Sequence, residues 1–308
     1  MGRAGRRGWV GVAAAALAVV GAACGGGPDT PPPPDPTTVT VGSFDFAESE
    51  LLAEIYAQAL EGAGFEVERA FGIGPRELTL PALEQGLVDV VPEYAGSALV
   101  FLGGAPTSDA ITTIGRLREA TAARGMETLD PAEAENTNVF ALSTATASRL
   151  GLHRLTQLEP VAGELTFGGP PECRDRPLCL QGLEDVYGLR FRDFVPLDAG
   201  GPLTLQALDE GHVDVALLFS TAGRLGSGEL VALEDDRGLQ PAENVTPLVA
   251  AGAADRFGPE LEATLDAVSA ALTTDGLRVM NASLQLGVTT EQVARGWLVA
   301  NGLGRSGA

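Results

Sequence analysis

Fourteen residues of this chain occur in two versions. ALEQGLVDVVPEYA at 82–95 and ALDEGHVDVALLFS at 207–220 align without a gap, an offset of 125 residues. Leu83 matches Leu208, Gly86 matches Gly211, Asp89 matches Asp214 and Tyr94 matches Phe219. A second pair, VTVGS at 39–43 and LTFGG at 165–169, repeats at an offset of 126. Two separate elements at nearly one offset indicate two lobes of similar design, one starting near residue 38 and one near 140.

The local pattern says what that design is. TVTVGS (38–43) reads as a strand. Asp45 stands three residues before Glu48, a capping-box spacing, and Leu51, Leu52, Ile55, Ala59 and Leu60 follow at helical period. FEVERAFGI (65–73) reads as a second strand, PRELTLPALEQG as a helix closed by Gly86, and VDVV as a third strand that Pro92 ends. The order β-α-β-α-β predicts an open α/β sheet. ENTNVFALS (135–143) and AENVTPLVA (242–250) are extended segments bounding the second lobe. Helices over 259–272, 274–285 and 290–301 then return to the first lobe. Thr289 or Thr290 caps the last one, and Val293, Trp297 and Leu298 form its apolar stripe. The expected architecture has lobe 1 at 38–138 and 245–308 and lobe 2 at 139–244. Two crossovers between them make a hinge.

The N-terminus reads as an export signal at 1–23: Arg3, Arg6 and Arg7, then an apolar run ending in small residues. Arg6-Arg7 leaves a twin-arginine route open beside the general one. Cys24 follows small residues and precedes GGGPDTPPPPDPTT, the pattern of a lipidated cysteine on a flexible tether over 24–37. A plain secreted protein with a chance cysteine is the other reading. Cleavage before Cys24 removes three of the 20 basic residues and none of the 41 acidic ones, taking the net charge from −21 to −24. A chain so acidic is repelled by nucleic acid. Cys173 and Cys179, close together in an exported chain, suggest a local disulfide; a metal site is the weaker alternative, with no histidine near in sequence.

Ligands of open α/β sheets sit beyond the carboxyl ends of the strands. Tyr94 and Phe219 stand at two such ends, with Glu93, Ser97, Ser220 and Thr221 around them. Either both rings face one cleft, or both are core. The repeat and the polar neighbours favour the cleft.

At this point the chain resembles the substrate-binding proteins of ABC importers for glycine betaine, carnitine and choline. The resemblance runs from about 38 to 303. It is carried by VGSFDFAESELLAEI, ALEQGLVDVVPEYAGSA, LTFGGPPECRDRP, GLEDVYGLRF, ALDEGHVDV, FSTAGRL, LVALEDDRG, PAENVTPLV and EQVARGWL, in that order. It implies a type II periplasmic-binding-protein fold. Such a protein closes on a quaternary-ammonium or related cationic or zwitterionic solute, needs no cofactor, and delivers it outside the cell membrane to a permease driven by an ATPase. A lipid-anchored monomer is expected. In such proteins aromatic rings cage the ammonium, which has no N–H to donate. By this resemblance the ligand contacts are Tyr94, Ser97 in place of a common threonine, and Phe219. Asn138 and Glu243 stand where two further rings would be. Phe44 replaces a lysine and offers a substitute wall. Arg176 is a candidate clamp for a carboxylate, or else a surface ion pair or brace for the cysteine loop. Glu243, facing the cleft, favours a cation and disfavours a nearby carboxylate.

No enzyme is expected. The two histidines, His153 and His212, fall at surface-like positions, and G-x-S-x-G, H-E-x-x-H and G-K-[ST] are all missing. GIG (72–74) before a helix reads as a tight turn rather than an anion site. The rival classes are a surface hydrolase or transferase on this fold, and a ligand-sensing or scaffold lipoprotein without transport.

Overall fold

The structure is a computed structural model and describes residues 37–304. The signal segment, Cys24 and the tether up to residue 36 lie outside the described residues. Elements in chain order are β1 (Thr38–Gly42), α1 (Ala47–Ala63), β2 (Glu66–Ala70), α2 (Arg76–Glu84), β3 (Val90–Tyr94), α3 (Ala95–Phe101), α4 (Ala110–Ala122), β4 (Glu127–Thr128), β5 (Asn138–Ser143) and α5 (Thr144–Leu150). Then follow β6 (Thr166–Gly169), α6 (Leu180–Tyr187), β7 (Asp193–Pro196), α7 (Pro202–Asp209), β8 (Val215–Phe219), β9 (Leu230–Ala232), β10 (Val245–Val249), α8 (Ala253–Phe257), α9 (Pro259–Ala271), α10 (Thr274–Gln285) and α11 (Thr290–Ala300).

Two five-stranded sheets form, ordered β2-β1-β3-β10-β4 and β7-β6-β8-β5-β9. Position for position they match. The first three strands of each are parallel, and the fourth runs antiparallel. The fourth strand is the one that follows a crossover: β10 returns to complete the first sheet, and β5 opens the second. The mixed α/β, two-lobed class that the repeat predicts is therefore present.

The repeated aspartates show what the repeat encodes. The Asp89 carboxylate accepts the Thr40 N–H at 2.9 Å, and the Asp89 N–H returns to the Thr40 carbonyl at 2.8 Å. Asp214 does the same with Thr166, both bonds at 2.9 Å. Each aspartate thus fixes the register of one strand against the next. Gly86 and Gly211, three residues earlier, take left-handed φ of 67° and 69°, where a β-carbon would be strained.

Each sheet is covered on both faces, so its strands read as continuous apolar runs. Val90 and Val249 pack with Leu51, Tyr56, Leu265 and Leu298, on the α1, α9 and α11 side. Their neighbours Val91 and Leu248 pack on the opposite side with Leu80, Leu99 and Leu117. In the second sheet Leu217 joins Phe140, Phe167 and Leu183, while Ala216 and Leu218 join Leu208 and Val213. The period-two alternation of a strand explains each division. Burial of these side chains stabilises each lobe by about 25 cal/mol per Å² of apolar surface removed from water.

Three local expectations are corrected. Pro92 does not end its strand: β3 continues to Tyr94, paired antiparallel with β10, and Pro92 lies directly opposite Pro247. Neither proline has an N–H, so this can only be a non-hydrogen-bonded pair, where no ladder bond is lost. The second strand is shorter than its sequence run, ending at Ala70, because only that length finds partners on β1. The capping box before α1 does not form. Phe46 is the N-cap residue with no side-chain bond, and Ser49 Oγ instead accepts the N–H of Phe44 at 2.9 Å. The late helices fall where the sequence puts them, and Thr289 Oγ1 caps α11 by accepting from the Gln292 N–H.

Candidate functional site

Tyr94 ends β3 and Phe219 ends β8, at equivalent places in the two sheets. Tyr94 faces Val245 across its ladder, and Phe219 faces Asn138. The residue after each ring bonds to a crossover. Ala95 N–H donates to the Asn244 carbonyl at 3.1 Å, and Ser220 N–H to the Thr137 carbonyl at 2.8 Å. Both rings are thus held at the crossover end of their sheets.

Their exposure differs. Phe219 is 39% exposed and Tyr94 only 6%. Tyr94 lies beneath Phe46, ring centroids 6.2 Å apart, and Phe46 stacks on Phe44 at 5.9 Å. Phe46 is the open member of this stack, 42% exposed, whereas Phe44 is 3% exposed. The guanidinium of Arg76 lies over the Phe44 ring, Cζ 5.1 Å from the centroid. Phe44 therefore sits inside lobe 1 between an arginine and a ring, rather than standing free as a wall. Phe46 takes the exposed place.

Beneath the stack Glu48 is 7% exposed and gathers three donors. The Tyr94 hydroxyl donates to Oε1 at 2.7 Å, the Asn136 amide to Oε1 at 2.7 Å, and the Asn281 amide to Oε2 at 2.5 Å. Burial, and then the negative charge of Glu48, hold the Tyr94 phenol well above its ordinary pKa, so it stays a donor. Asn136 lies in the first crossover and Asn281 on α10. Asn281 also donates to the Thr221 carbonyl at 3.0 Å, and Arg278 Nε to the Ser220 carbonyl at 2.7 Å. The carboxylate that sequence spacing assigns to a helix cap instead ties the ring stack to a crossover and, through α10, to the end of β8.

A second carboxylate bonds to α3. Glu243 precedes β10 and is 9% exposed. Its Oε2 accepts the Ser97 N–H at 2.9 Å and its Oε1 accepts the Ser97 hydroxyl at 2.8 Å. The approach is close enough to require glycine next door: a β-carbon at position 96 would lie 2.8 Å from the Ala242 carbonyl and 3.1 Å from Glu243 Oε1. Arg76 is committed to fully buried Glu93, Nε and Nη2 reaching its two oxygens at 2.6 and 2.9 Å. Burial pushes the Glu243 carboxyl above its usual pKa. Arg76, Ser97, Leu178, Gln240 and Glu243 line a cavity of about 600 Å³.

Asn138 lies on the rim of a neighbouring cavity of about 520 Å³ and donates from Nδ2 to Gln240 Oε1 at 3.3 Å. Cys173 and Cys179 are joined, Cα atoms 5.2 Å apart, and among the described residues no group of three metal-ligating side chains forms. The loop they close holds Leu178, whose carbonyl accepts from Gln240 Nε2 at 3.0 Å. Arg176 points to solvent beside Glu172, 3.4 Å away, both more than half exposed. The structure thus groups Phe44 with Tyr94, Ser97 with Glu243, and Asn138 with Phe219, and leaves Arg176 apart on the surface. Phe46, Glu48, Arg76 and Gln240 are added to the sequence-derived set. The aromatic two residues before Glu48 was a legible signal. The Arg76–Glu93 pair, 17 residues apart, was not.

The sequence profile described as the substrate binding domain of ABC-type glycine betaine transport system matches residues 37–300. The chain is 30% identical over 267 residues to the glycine-betaine-binding protein of Pseudomonas aeruginosa, covering 83% of this chain and 85% of that one. It is 26% identical over 249 residues to the carnitine transport binding protein OpuCC of Listeria monocytogenes, covering 79% and 80%. A crystal structure of a glycine betaine/carnitine/choline ABC transporter component shares the fold, with a TM-score of 0.80 at 22% identity over 86% of this chain and 99% of that one. With the matched profile spanning both sheets and both crossovers, the chain belongs to the substrate-binding domains of ABC-type glycine betaine transport systems, a family of binding proteins and not of enzymes.

Proposed function

We propose that the protein captures a quaternary-ammonium or related cationic or zwitterionic solute between its lobes, closes on it, and hands it to a membrane permease driven by an ATPase. Cys24 anchors it by lipid to the outer face of the cell membrane. The lobes are taken as 38–138 with 245–308, and 139–244. The observation that carries the reading is the pair of exposed rings at equivalent strand ends: Phe46 over Tyr94 at β3, and Phe219 at β8. A cation is held over such faces by cation–π attraction worth about 0.5–2 kcal/mol per ring. The relatives named for glycine betaine and carnitine support the ligand class.

Isothermal titration with choline, carnitine and glycine betaine tests it. Saturable one-site binding by at least one of them, weakened in Phe219→Ala, is expected. No binding by any cationic or zwitterionic solute at millimolar concentration contradicts it.

A further inference from the structure

We propose that Glu243 makes this site prefer a cationic nitrogen that still carries a hydrogen, as a primary, secondary or tertiary ammonium, over a fully methylated one. The inference rests on the reading that the cleft takes a cation, and it names which cation.

Glu243 is a built acid rather than a surface one. It is 91% buried, since 9% of it is exposed, and both of its oxygens are oriented by Ser97. The glycine at 96 lets α3 approach it closely. A carboxylate accepts up to about four hydrogen bonds, and Ser97 supplies two, so one acceptor position remains on each oxygen. The arginine lining the same cavity does not pair with it, because the Nε and Nη2 of Arg76 hold Glu93. Glu77 adds a further acid to that lining, so the cavity carries excess negative charge. An N–H of the ligand would complete Glu243 with a charge-assisted bond, whereas a trimethylammonium has no hydrogen to give.

The ring side of the balance is weak. Asn138 and Glu243 provide no π face at their positions, and the faces of Phe44 are taken by Arg76 and Phe46. The exposed rings are those of Phe46 and Phe219, and the Glu243 cavity itself is lined by one partly buried ring, Phe101. Two exposed rings and one partly buried ring are poorly suited to encircling three methyl groups and a methylene, while an oriented buried carboxylate suits an N–H.

The test is a methylation series that changes little else: ethanolamine, N-methylethanolamine, N,N-dimethylethanolamine and choline, with glycine, N,N-dimethylglycine and glycine betaine beside it. Each is titrated calorimetrically into the protein, into Glu243→Gln, and into Glu243→Tyr. A charge-assisted hydrogen bond is worth about 1.5–3 kcal/mol, so the last methylation should weaken binding by roughly 10- to 100-fold. Glu243→Gln should collapse that ratio to within about threefold, and Glu243→Tyr should reverse it. Ser97→Ala, which removes the hydroxyl bond to Oε1 and keeps the N–H bond to Oε2, should reduce the ratio. Circular dichroism and thermal unfolding of each variant establish that it is folded. If choline binds as tightly as dimethylethanolamine and Glu243→Gln leaves the ratio unchanged, the inference is overturned and the cation reading stands. If no member of either series binds any folded form the inference falls, and if carnitine also fails to bind the cation reading falls with it.

Discussion

Arg76 holds Glu93 with two nitrogens while its guanidinium plane covers the ring of Phe44, 5.1 Å from the centroid. One side chain therefore neutralises a fully buried acid and closes one face of an aromatic that the sequence offered as a ligand wall. Removing it strands Glu93, whose side chain is 0% exposed, without a counter-charge. Breaking a buried pair costs about 3–5 kcal/mol, and because Arg76 is itself 23% exposed, the lower end applies. Urea unfolding should show Arg76→Ala destabilised by ~3 kcal/mol, and the double variant Arg76→Met with Glu93→Gln destabilised by clearly less.

The rings divide into structural and open members. Phe44→Ala should cost about 3–5 kcal/mol of stability, as for other buried phenylalanines. Phe46→Ala and Phe219→Ala remove rings already some 40% exposed, 42% and 39%, and should change stability little. Ligand affinity should respond in the opposite order, falling by roughly 2- to 30-fold in each open-ring variant, from the ~0.5–2 kcal/mol of one cation–π contact. Paired unfolding and titration curves measure both quantities.

Glu243 makes stability depend on pH. Burial raises its carboxyl in the folded state, so its stabilising contribution is complete below the unfolded carboxyl pKa and is lost as pH rises through the folded value. Glu93, Glu77 and Arg76 face it and remain in the variant. Glu243→Gln should therefore unfold at a higher temperature than the parent at pH 7.5, with the gap closing towards pH 4. Calorimetry across that range checks the sign. Cation binding should weaken over the same descent, as the carboxylate is protonated.

Glu48 links the ring stack to the first crossover and, through Asn281, to the end of β8. Tyr94→Phe keeps the ring but withdraws one of its three donors, which should cost about 1–3 kcal/mol. Asn281→Ala cuts the bonds to Glu48 and to the Thr221 carbonyl together. Small-angle scattering of the ligand-free protein should then show a larger radius of gyration, because α10 no longer pins the end of β8. An unchanged radius would mean that α10 does not hold the end of β8 in place.

Much of the architecture was legible because the repeat carries it. The Asp89 and Asp214 carboxylates, the left-handed Gly86 and Gly211 and the rings Tyr94 and Phe219 recur in structure as they do in sequence. What misled was local chemistry overridden by partners distant in sequence. Pro92 reads as a strand end, yet Pro247, 155 positions later, makes room for it by lacking the same N–H. Glu48 reads as a helix cap, yet Tyr94, Asn136 and Asn281 outbid the backbone for it. Phe44 reads as a wall because its distance from Arg76 in space cannot be seen in a spacing of 32 residues. The site is where local rules give way, as is usual where function is built.

A crystal structure of the protein with the tightest-binding member of the ethanolamine series decides the matter. The ligand nitrogen should lie within about 6 Å of the Phe219 ring centroid, on the side where Phe46 is open, and hydrogen-bonded to Glu243. A ligand found away from both strand ends, or one whose nitrogen touches neither ring nor Glu243, would contradict the site described for this chain.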